Sequence, residues 1–290
     1  MIEPGKKGNG YSWSPDGLTV TITGASEKYI LSNTISGSVT VNVDADEVTL
    51  NGNGIPIAGI RGQPTLDLEN VYVNGVVFFR YSLIDEAFFG ITECRNIKSS
   101  SIVLENIRGK VFGLGQLYGN LDDTTIITVT GDKAFGVASV YDNGVISGGV
   151  FTVTGNRATG VSTVGYGGKI SGGKFIMTGE SYAFGVQNVG DWGVQNVGAN
   201  GEISGGEFIV NGDEATGVSA ILNSGKISGG VFTLTGDKAF GVWFIHDFGK
   251  ISGGEFIVNG DEAVGVENGG QGKISGGEFN VNGVRQSWPT

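Results

Sequence analysis

Short runs of alternating apolar and other residues recur along most of the chain. Residues 151–154, 208–211 and 256–259 each place a large apolar side chain at the first and third positions. A period of two is typical of a half-buried β-strand. The runs end in Gly, Asn-Gly or Gly-Asp, which favour turns. Glycine recurs every few residues and β-branched residues fill the runs between, so helices are disfavoured. The pattern predicts short strands joined by tight turns.

These runs belong to an internal repeat of about 24 residues. The tetrapeptide Ile-Ser-Gly-Gly begins at positions 146, 170, 203, 227, 251 and 274, with spacings of 24, 33, 24, 24 and 23. The glycine of a second motif, x-Gly-Val, recurs with the same period at positions 136, 160, 185, 217, 241 and 265. Similar tripeptides extend this series back to Gly90 and Gly113. Both series have their longest spacing in the same interval of the chain, so the two motifs belong to one structural repeat.

A repeat of three short strands and three turns cannot bury its apolar face alone, but stacked copies bury a continuous column. Successive turns would then lie ~4.8 Å apart in parallel register. The pattern predicts one ladder of stacked aromatic rings and an aliphatic column beside it. The ladder would contain Phe151, Phe175, Phe208, Phe232, Phe256 and Phe279, and the column would contain Val153, Met177, Val210, Leu234, Val258 and Val281.

Other repeat architectures fit less well. The unit lacks the Leu-x-x-Leu-x-Leu pattern and helical half of leucine-rich repeats, and it is shorter than a WD40 blade. The chain resembles the right-handed β-helix proteins of the pectin-lyase-like class, and in particular the glycine-rich Ile-Ser-Gly-Gly-x-Phe arrays of microbial or viral surface proteins. The resemblance implies an all-β fold, a single right-handed, three-sided parallel β-helix. It is architectural and implies no activity.

The repeat divides the chain into four parts. Residues 1–17 carry no pattern and are expected to form an arm or cap. Residues 18–86 contain decayed β-helix turns, in which the strands at 48–52 and 71–75 lie 23 residues apart. Residues 87–283 form the regular β-helix, and residues 284–290 are a short tail.

Composition narrows the class of function. The chain has 290 residues, 54 of them glycine, and a net charge of −11, which argues against nucleic acid as a partner. One cysteine, Cys94, excludes an intramolecular disulfide framework, and one histidine, His246, excludes a site that needs two. No apolar stretch reaches eighteen residues and no classical signal peptide is readable, so membrane insertion is not expected. An extracellular or virion-surface location is expected.

Catalytic chemistry has little support. Polysaccharide lyases and hydrolases share the expected architecture, and hydrolysis needs two positioned carboxylates. Asp122 and Asp123 are the one adjacent Asp pair, and the Gly-His-Gly and Arg-Ile-Lys motifs of that family are missing. We therefore expect a protein that is not an enzyme, with no catalytic residues and no cofactor.

A metal site is not expected either. Asp132, Asp213, Asp237 and Asp261 share one repeat position, but the calcium-binding nonapeptide is absent. The neighbouring column is predicted to be a charge ladder of Lys133, Arg157, Ser181, Glu214, Lys238 and Glu262.

Departures from the repeat mark candidate contact residues. Residues 185–190 are duplicated as 193–198, which explains most of the 33-residue spacing and predicts a loop containing Trp192. Large apolar side chains at one edge favour a protein or sugar partner, although a local lid over the core remains the alternative. The candidates for contact with a partner or glycan are Tyr141, Tyr166, Trp192, Trp243, Phe244, His246 and Phe248.

Two further features leave alternatives open. A column that alternates between phenylalanine and other residues (Phe135, Thr159, Phe184, Thr216, Phe240 and Val264) points either outward, as a lateral contact, or into the core. Outward Thr-x-Thr runs are similar to the threonine arrays of ice-binding solenoids, but isoleucine and asparagine interrupt them.

The leading hypothesis is a non-catalytic structural β-solenoid that assembles with itself, head-to-tail or laterally, into a filament, fibre or surface layer. Its partner is then another copy of the chain, and open-ended contacts of this kind generate polymers. The candidate assembly residues are Trp13, Ile274, Phe279 and Trp288. The first alternative is a surface adhesin or spike that binds a polysaccharide through exposed aromatic residues, and the second is a polysaccharide lyase or hydrolase.

Overall fold

The computed structural model describes most of the repeat region and several N-terminal strands. The described residues are 11–13, 19–22, 40–43, 48–51, 67–69, 71–74, 77–80, 86–189, 200–246, 248–267 and 272–283. Their regular structure consists entirely of strands in two sheets. Within these ranges, no helix has the length and apolar character needed to cross a bilayer.

The described residues contain twenty-five strands. The first nine are β1 (Tyr11–Trp13), β2 (Thr19–Ile22), β3 (Thr40–Val43), β4 (Val48–Asn51), β5 (Asp67–Glu69), β6 (Val71–Asn74), β7 (Val77–Arg80), β8 (Glu86–Cys94) and β9 (Asn96–Lys98). The next eight are β10 (Ser101–Leu117), β11 (Asn120–Leu121), β12 (Ile126–Val140), β13 (Val145–Ile146), β14 (Val150–Val164), β15 (Lys169–Ile170), β16 (Lys174–Val189) and β17 (Glu202–Ile203). The last eight are β18 (Glu207–Asn211), β19 (Glu214–Ile221), β20 (Lys226–Ile227), β21 (Val231–Thr235), β22 (Phe240–Ile245), β23 (Lys250–Asn259), β24 (Val264–Val266) and β25 (Lys273–Asn282).

The regular region is a parallel β-solenoid of about seven turns with about 24 residues per turn, as the repeat predicts. Each turn contributes three strand segments, and equivalent segments of successive turns form three tracks. In one turn, β15 belongs to the first track, residues 174–179 of β16 to the second track, and residues 182–189 of β16 to the third track. Parallel register joins β12 to β14 and β14 to β16 along the second and third tracks.

The predicted aromatic ladder is confirmed in the second track. Phe151 pairs with Phe175, and their ring centroids lie 4.3 Å apart with an interplanar angle of 9°. The same stacking continues through the next four rings with centroid distances of 4.5 to 4.7 Å. Phe175 and Phe208 stack at 4.7 Å, so the nine extra residues in this interval leave the ladder in register. Residues 190–199, where the sequence predicts a loop containing Trp192, lie outside the described residues.

Aliphatic columns from all three tracks complete the core. The predicted column beside the rings is confirmed by the pairing of Val153 with Met177 and of Met177 with Val210. The first track adds a column of isoleucines, which includes Ile170 and Ile203, and the third track adds alanine and valine columns. Nearly all of these side chains are completely buried, so one continuous apolar column follows the axis.

The two glycines of Ile-Ser-Gly-Gly have different structural roles. A Cβ added to Gly205 would lie 2.3 Å from the carbonyl oxygen of Ser171 in the preceding turn. Gly206 instead has φ of 101°, a conformation that L-residues with a side chain rarely adopt. The tetrapeptide therefore specifies close stacking at its third position and a left-handed bend at its fourth.

The N-terminal strands only partly follow the repeat. Val48 pairs with Val71 in parallel register, which confirms that β4 and β6 are one turn apart. However, β7 pairs with β8 in antiparallel fashion, and β1 pairs with β2 in antiparallel fashion in a separate three-stranded sheet with β3. The sequence predicted no strand within residues 1–17, since β1 lacks the 24-residue spacing that marks the others.

One column prediction was wrong. Tyr182, and not Ser181, pairs with Arg157 and with Glu214 in the third track. The register shifts between Gly155 and Arg157 because one extra residue is accommodated at this bend. The predicted charge ladder therefore contains an aromatic ring, and the guanidinium carbon of Arg157 lies 5.3 Å from the Tyr182 ring centroid.

Candidate interaction surface

A tight turn of constant geometry follows the third track. It comprises residues 141–144, 165–168 and 222–225, and at the equivalent place one turn later the Gly249 amide donates to the His246 carbonyl. In the first of these, the Gly144 amide donates to the Tyr141 carbonyl over 2.7 Å, and Asp142 and Asn143 have φ of 50° and 67°. Positive φ at both central residues is the signature of a type I′ turn, which favours Asn, Asp and Gly.

Two aromatic residues occupy left-handed positions of these turns. Tyr166 has φ of 50° and Phe248 has φ of 66°. A bulky residue in this region is strained, and such strain persists where the surrounding structure or a function requires it. Phe248 is 73% exposed, so burial of its ring in this chain does not explain the choice of phenylalanine.

Candidate contact residues of these turns form two groups. Tyr141 and Tyr166 come from adjacent turns and pack edge to face, with centroids 5.2 Å apart. Phe244 and His246 stack with centroids 5.5 Å apart, and Phe248 follows in the same turn. The groups are three solenoid turns apart, or ~14 Å at the usual strand spacing. We call these five side chains together the aromatic turn ridge.

Trp243, like Phe244 of the aromatic turn ridge, belongs to a strand and not to a turn. It belongs to the third track within β22, is 47% exposed, and its ring centroid lies 6.0 Å from that of Phe240. The sequence grouped Trp243 with the variable turn residues, whereas the structure places it two residues before the buried Ile245. The apolar segment 243–248 is thus partly core strand and partly exposed turn.

The structure decides the direction of the alternating phenylalanine column. Phe112 and Phe135 stack at 4.5 Å and pack with Ala138 in a small cluster separate from the central core. Thr159 and Phe184 of the same column are only 2% and 6% exposed. The column therefore lies outside the central core but is covered by its own neighbours, which leaves a limited free surface for a lateral contact.

Charged residues of the first track form a short ladder. The Glu202 carboxylate lies between two lysines, 3.5 Å from the Lys169 Nζ and 3.3 Å from the Lys226 Nζ. The hydroxyl of Ser228 donates to the same carboxylate and is the largest cause of the lowered pKa of Glu202. Partial burial opposes this effect, and the two lysines reinforce it.

Asp122, one of the acidic residues considered for catalysis, makes hydrogen bonds within its own turn. Asp122 Oδ1 accepts hydrogen bonds from the Thr124 amide, the Thr124 hydroxyl and the Thr125 hydroxyl, over 3.2, 2.8 and 3.3 Å. Asp122 thus organises the turn that precedes β12. Over the described ranges, no group of three His, Cys, Asp or Glu side chains could hold a metal ion.

The last described turn exposes the ends of the core columns. Ile274 and Val281 in β25 are 43% and 42% exposed, whereas their counterparts in the preceding turn, Ile251 and Val258, are completely buried. Phe279 stacks on Phe256 at 4.7 Å and is partly buried. The other assembly candidates, the Trp13 side chain and Trp288, lie outside the described residues.

Comparisons of the chain with protein-family profiles, with curated proteins and with solved structures find no match. The structure itself defines the class of the protein, which is a parallel β-solenoid with about 24 residues per turn.

Proposed function

We propose that this chain is a non-catalytic structural solenoid that assembles end to end with other copies of itself, as an extracellular or virion-surface filament, fibre or layer. The proposal includes a right-handed coil of the pectin-lyase-like class, similar to the glycine-rich arrays of microbial or viral surfaces. One observation carries it. The apolar columns are buried in all the preceding regular turns, whereas at β25 their last residues, Ile274 and Val281, are almost half exposed.

The other end of the second track offers a matching strand. Pairing through β6 and β10 places Leu50 of β4 in the same column as Ile102 and, further along, the phenylalanine ladder. A second copy that adds β4 to the edge of β25 with which no described strand pairs would continue the parallel register. A contact between two different ends repeats without closing, so it generates an open polymer.

Electron microscopy and light scattering over a concentration series test this proposal. Val281→Lys places a charge under the added turn and is expected to abolish filaments, because charged residues on an edge oppose strand addition. The matched control is Asn280→Lys, which adds the same charge to the outer face of the same strand and should leave filaments intact. A wild-type chain that stays monomeric throughout, or equal effects of both variants, would overturn the proposal.

The aromatic turn ridge favours a second function, an adhesin or spike that binds glycan. Exposed aromatic rings with constrained positions are the groups that pack on sugar faces. The observation behind it is that Tyr166 and Phe248 occupy strained left-handed positions, where Asn or Gly would cost less. Glycan-array binding that is lost in Phe248→Asn, while filaments persist, would establish this function. Binding that is unchanged in this variant would exclude the aromatic turn ridge.

A further inference from the structure

The outer face of the second track is broad, regular and partly apolar. Its strands pair without a register shift from residue 126 to residue 259, so outward side chains form straight columns. The first outward column contains three of the most exposed aliphatic residues, Ile126, Val150 and Val231, which are 36 to 47% exposed. The middle outward column contains threonine and half-buried isoleucine, in the order Thr128, Thr152, Ile176, Ile209, Thr233 and Ile257.

The four central residues of both columns are arranged symmetrically about one point, whereas the outermost pairs, Ile126 with Glu255 and Thr128 with Ile257, are not. Along the first column the residues are Ile126, Val150, Lys174, Glu207, Val231 and Glu255. The midpoint falls between Lys174 and Glu207, and valine lies one turn beyond each of these two charged residues. In the middle column, Ile176 and Ile209 flank the same midpoint, and threonine follows on both sides.

We infer that this face docks a second copy of the chain in antiparallel orientation, about a two-fold axis that runs along the strand direction between the turns of Lys174 and Glu207. Such an axis reverses the order of turns and keeps each column opposite itself. It sets Val150 against Val231 of the second copy. A two-fold contact of this kind is self-complementary, because each paired contact occurs twice.

The charges fix the register of this dimer. Within one chain, the Lys174 Nζ lies 3.0 Å from both carboxylate oxygens of Glu207. The two-fold axis adds the same pair from the second copy, so that lysine and glutamate alternate around a group of four. Sliding one copy by a single turn would instead oppose two lysines or two glutamates, which is unfavourable.

The size of the face predicts a modest affinity. Six turns of five residues cover ~29 Å by ~16 Å at ordinary strand spacings, which is roughly 480 Å² of flat area on each copy. Stable interfaces bury about 800 Å² per partner, so this contact is at the lower end. We expect dimers at micromolar concentration, which end-to-end growth would then combine into paired filaments.

The antiparallel dimer deepens the proposed function, since it adds a side-to-side contact to the end-to-end contact. It rests on the proposed function only in taking a second copy of the chain as the partner. It can be tested without filaments. Sedimentation velocity of the full chain carrying Val281→Lys, over a concentration series, measures the monomer–dimer equilibrium when end-to-end growth is blocked.

Two substitutions and their combination test the antiparallel geometry. Val150→Glu places a carboxylate beside Lys174 of its own chain, and Val231→Lys places an ammonium between Glu207 and Glu255, so neither should disturb folding. Each substitution alone sets a charge against an apolar partner and is expected to weaken the dimer by about tenfold or more. The double variant sets the new carboxylate of one copy against the new ammonium of the second copy and should recover most of the lost affinity.

Thr163→Glu is the matched control, because it adds a carboxylate to the third track and should leave the dimer unchanged. Circular dichroism verifies that every variant is folded. A parent that stays monomeric at all concentrations, single substitutions without effect, or a double variant that binds no more tightly than the singles would overturn the inference. Loss of filaments in Val281→Lys with a persisting dimer, or the reverse, separates the lateral contact from the end-to-end contact.

Discussion

Each internal phenylalanine of the ladder (Phe175, Phe208, Phe232 and Phe256) stacks on two others and is completely buried. The Phe208 ring lies 4.7 Å from Phe175 on one side and 4.5 Å from Phe232 on the other. Its removal would therefore open a cavity between two neighbouring rings that the rigid backbone ladder cannot close. Stability at this position depends on packing with both adjacent turns.

We expect Phe208→Ala to lower the free energy of unfolding by about 3–5 kcal/mol, because it removes a completely buried ring and leaves a cavity. Glu207→Ala, one residue earlier on the outer face, removes an exposed ion pair and should cost less than ~1 kcal/mol. Urea denaturation of both variants measures the difference. Equal costs would contradict the assignment of Phe208 to the core.

Glu202 makes stability depend on pH at one position. Its lowered pKa means that folding stabilises the carboxylate form of Glu202 relative to the protonated form. The resulting stabilisation is present above the ordinary pKa of a glutamate and is lost as the pH falls through the lowered value.

Ser228→Ala removes the largest cause of this shift. At pH 7 it should reduce the free energy of unfolding by less than ~1 kcal/mol, since the site is partly exposed. The reduction should shrink as the pH approaches about 3, where glutamates become protonated. Urea denaturation at both pH values provides the measurement. The control is Ser252→Ala, because the Ser252 hydroxyl donates to the Ile227 carbonyl and its loss should not vary with pH.

At the scale of an element, strands and turns differ in their tolerance of substitutions. The strands of the first track are mostly two residues long and are held by pairing with the turns above and below. The type I′ turns are held locally by hydrogen bonds such as that from the Gly168 amide to the Gly165 carbonyl, 2.9 Å long. Substitutions in the turns therefore act mainly on local backbone strain.

Phe248→Asn should raise the free energy of unfolding by about 1 kcal/mol, because asparagine adopts the left-handed conformation at lower cost than phenylalanine does. Thermal unfolding measures the change. Tyr141→Asn is the control, since Tyr141 precedes the left-handed pair in its own turn and should gain nothing. A less stable Phe248→Asn variant would show that the exposed ring contributes packing that outweighs the strain.

At the scale of the molecule, the described regular region is a stack in which every internal turn pairs with its two neighbours. Stability is then close to a sum of turn energies and interface energies. The chain itself shows that one turn can vary without disturbing its neighbours, because the extra residues between Phe175 and Phe208 leave the ladder in register.

Deletion of residues 203–226 should remove one complete turn and preserve the fold. The deletion joins Glu202 to Ile227 and brings Phe175 against Phe232, so each column closes with an equivalent residue. We expect an unchanged circular dichroism spectrum per residue and one cooperative transition, with a solenoid shorter by ~4.8 Å in small-angle scattering. Deletion of residues 203–214 removes half a turn and should prevent folding. Equal behaviour of the two deletions would contradict the stacked-turn architecture.

The sequence alone determined the repeat, the parallel stacking and the two core columns of the second track. Two motifs with one period are enough for this, because residues one turn apart must lie in contact once turns stack. Asp142-Asn143 and Asn223-Ser224, the central residues of two turns that end the third track, also carried a signal for type I′ turns that spacing arguments missed.

Only the tertiary structure decided what each irregular residue does. Tyr182 replaced Ser181 in its column because a bend absorbed one residue, and Trp243 proved to be a strand residue of the third track. The exposure of Val150 and Val231 on one face likewise needed the folded chain. A repeat period fixes which residues stack, whereas bends between strands fix the direction in which side chains point, and those bends depend on contacts with neighbouring turns.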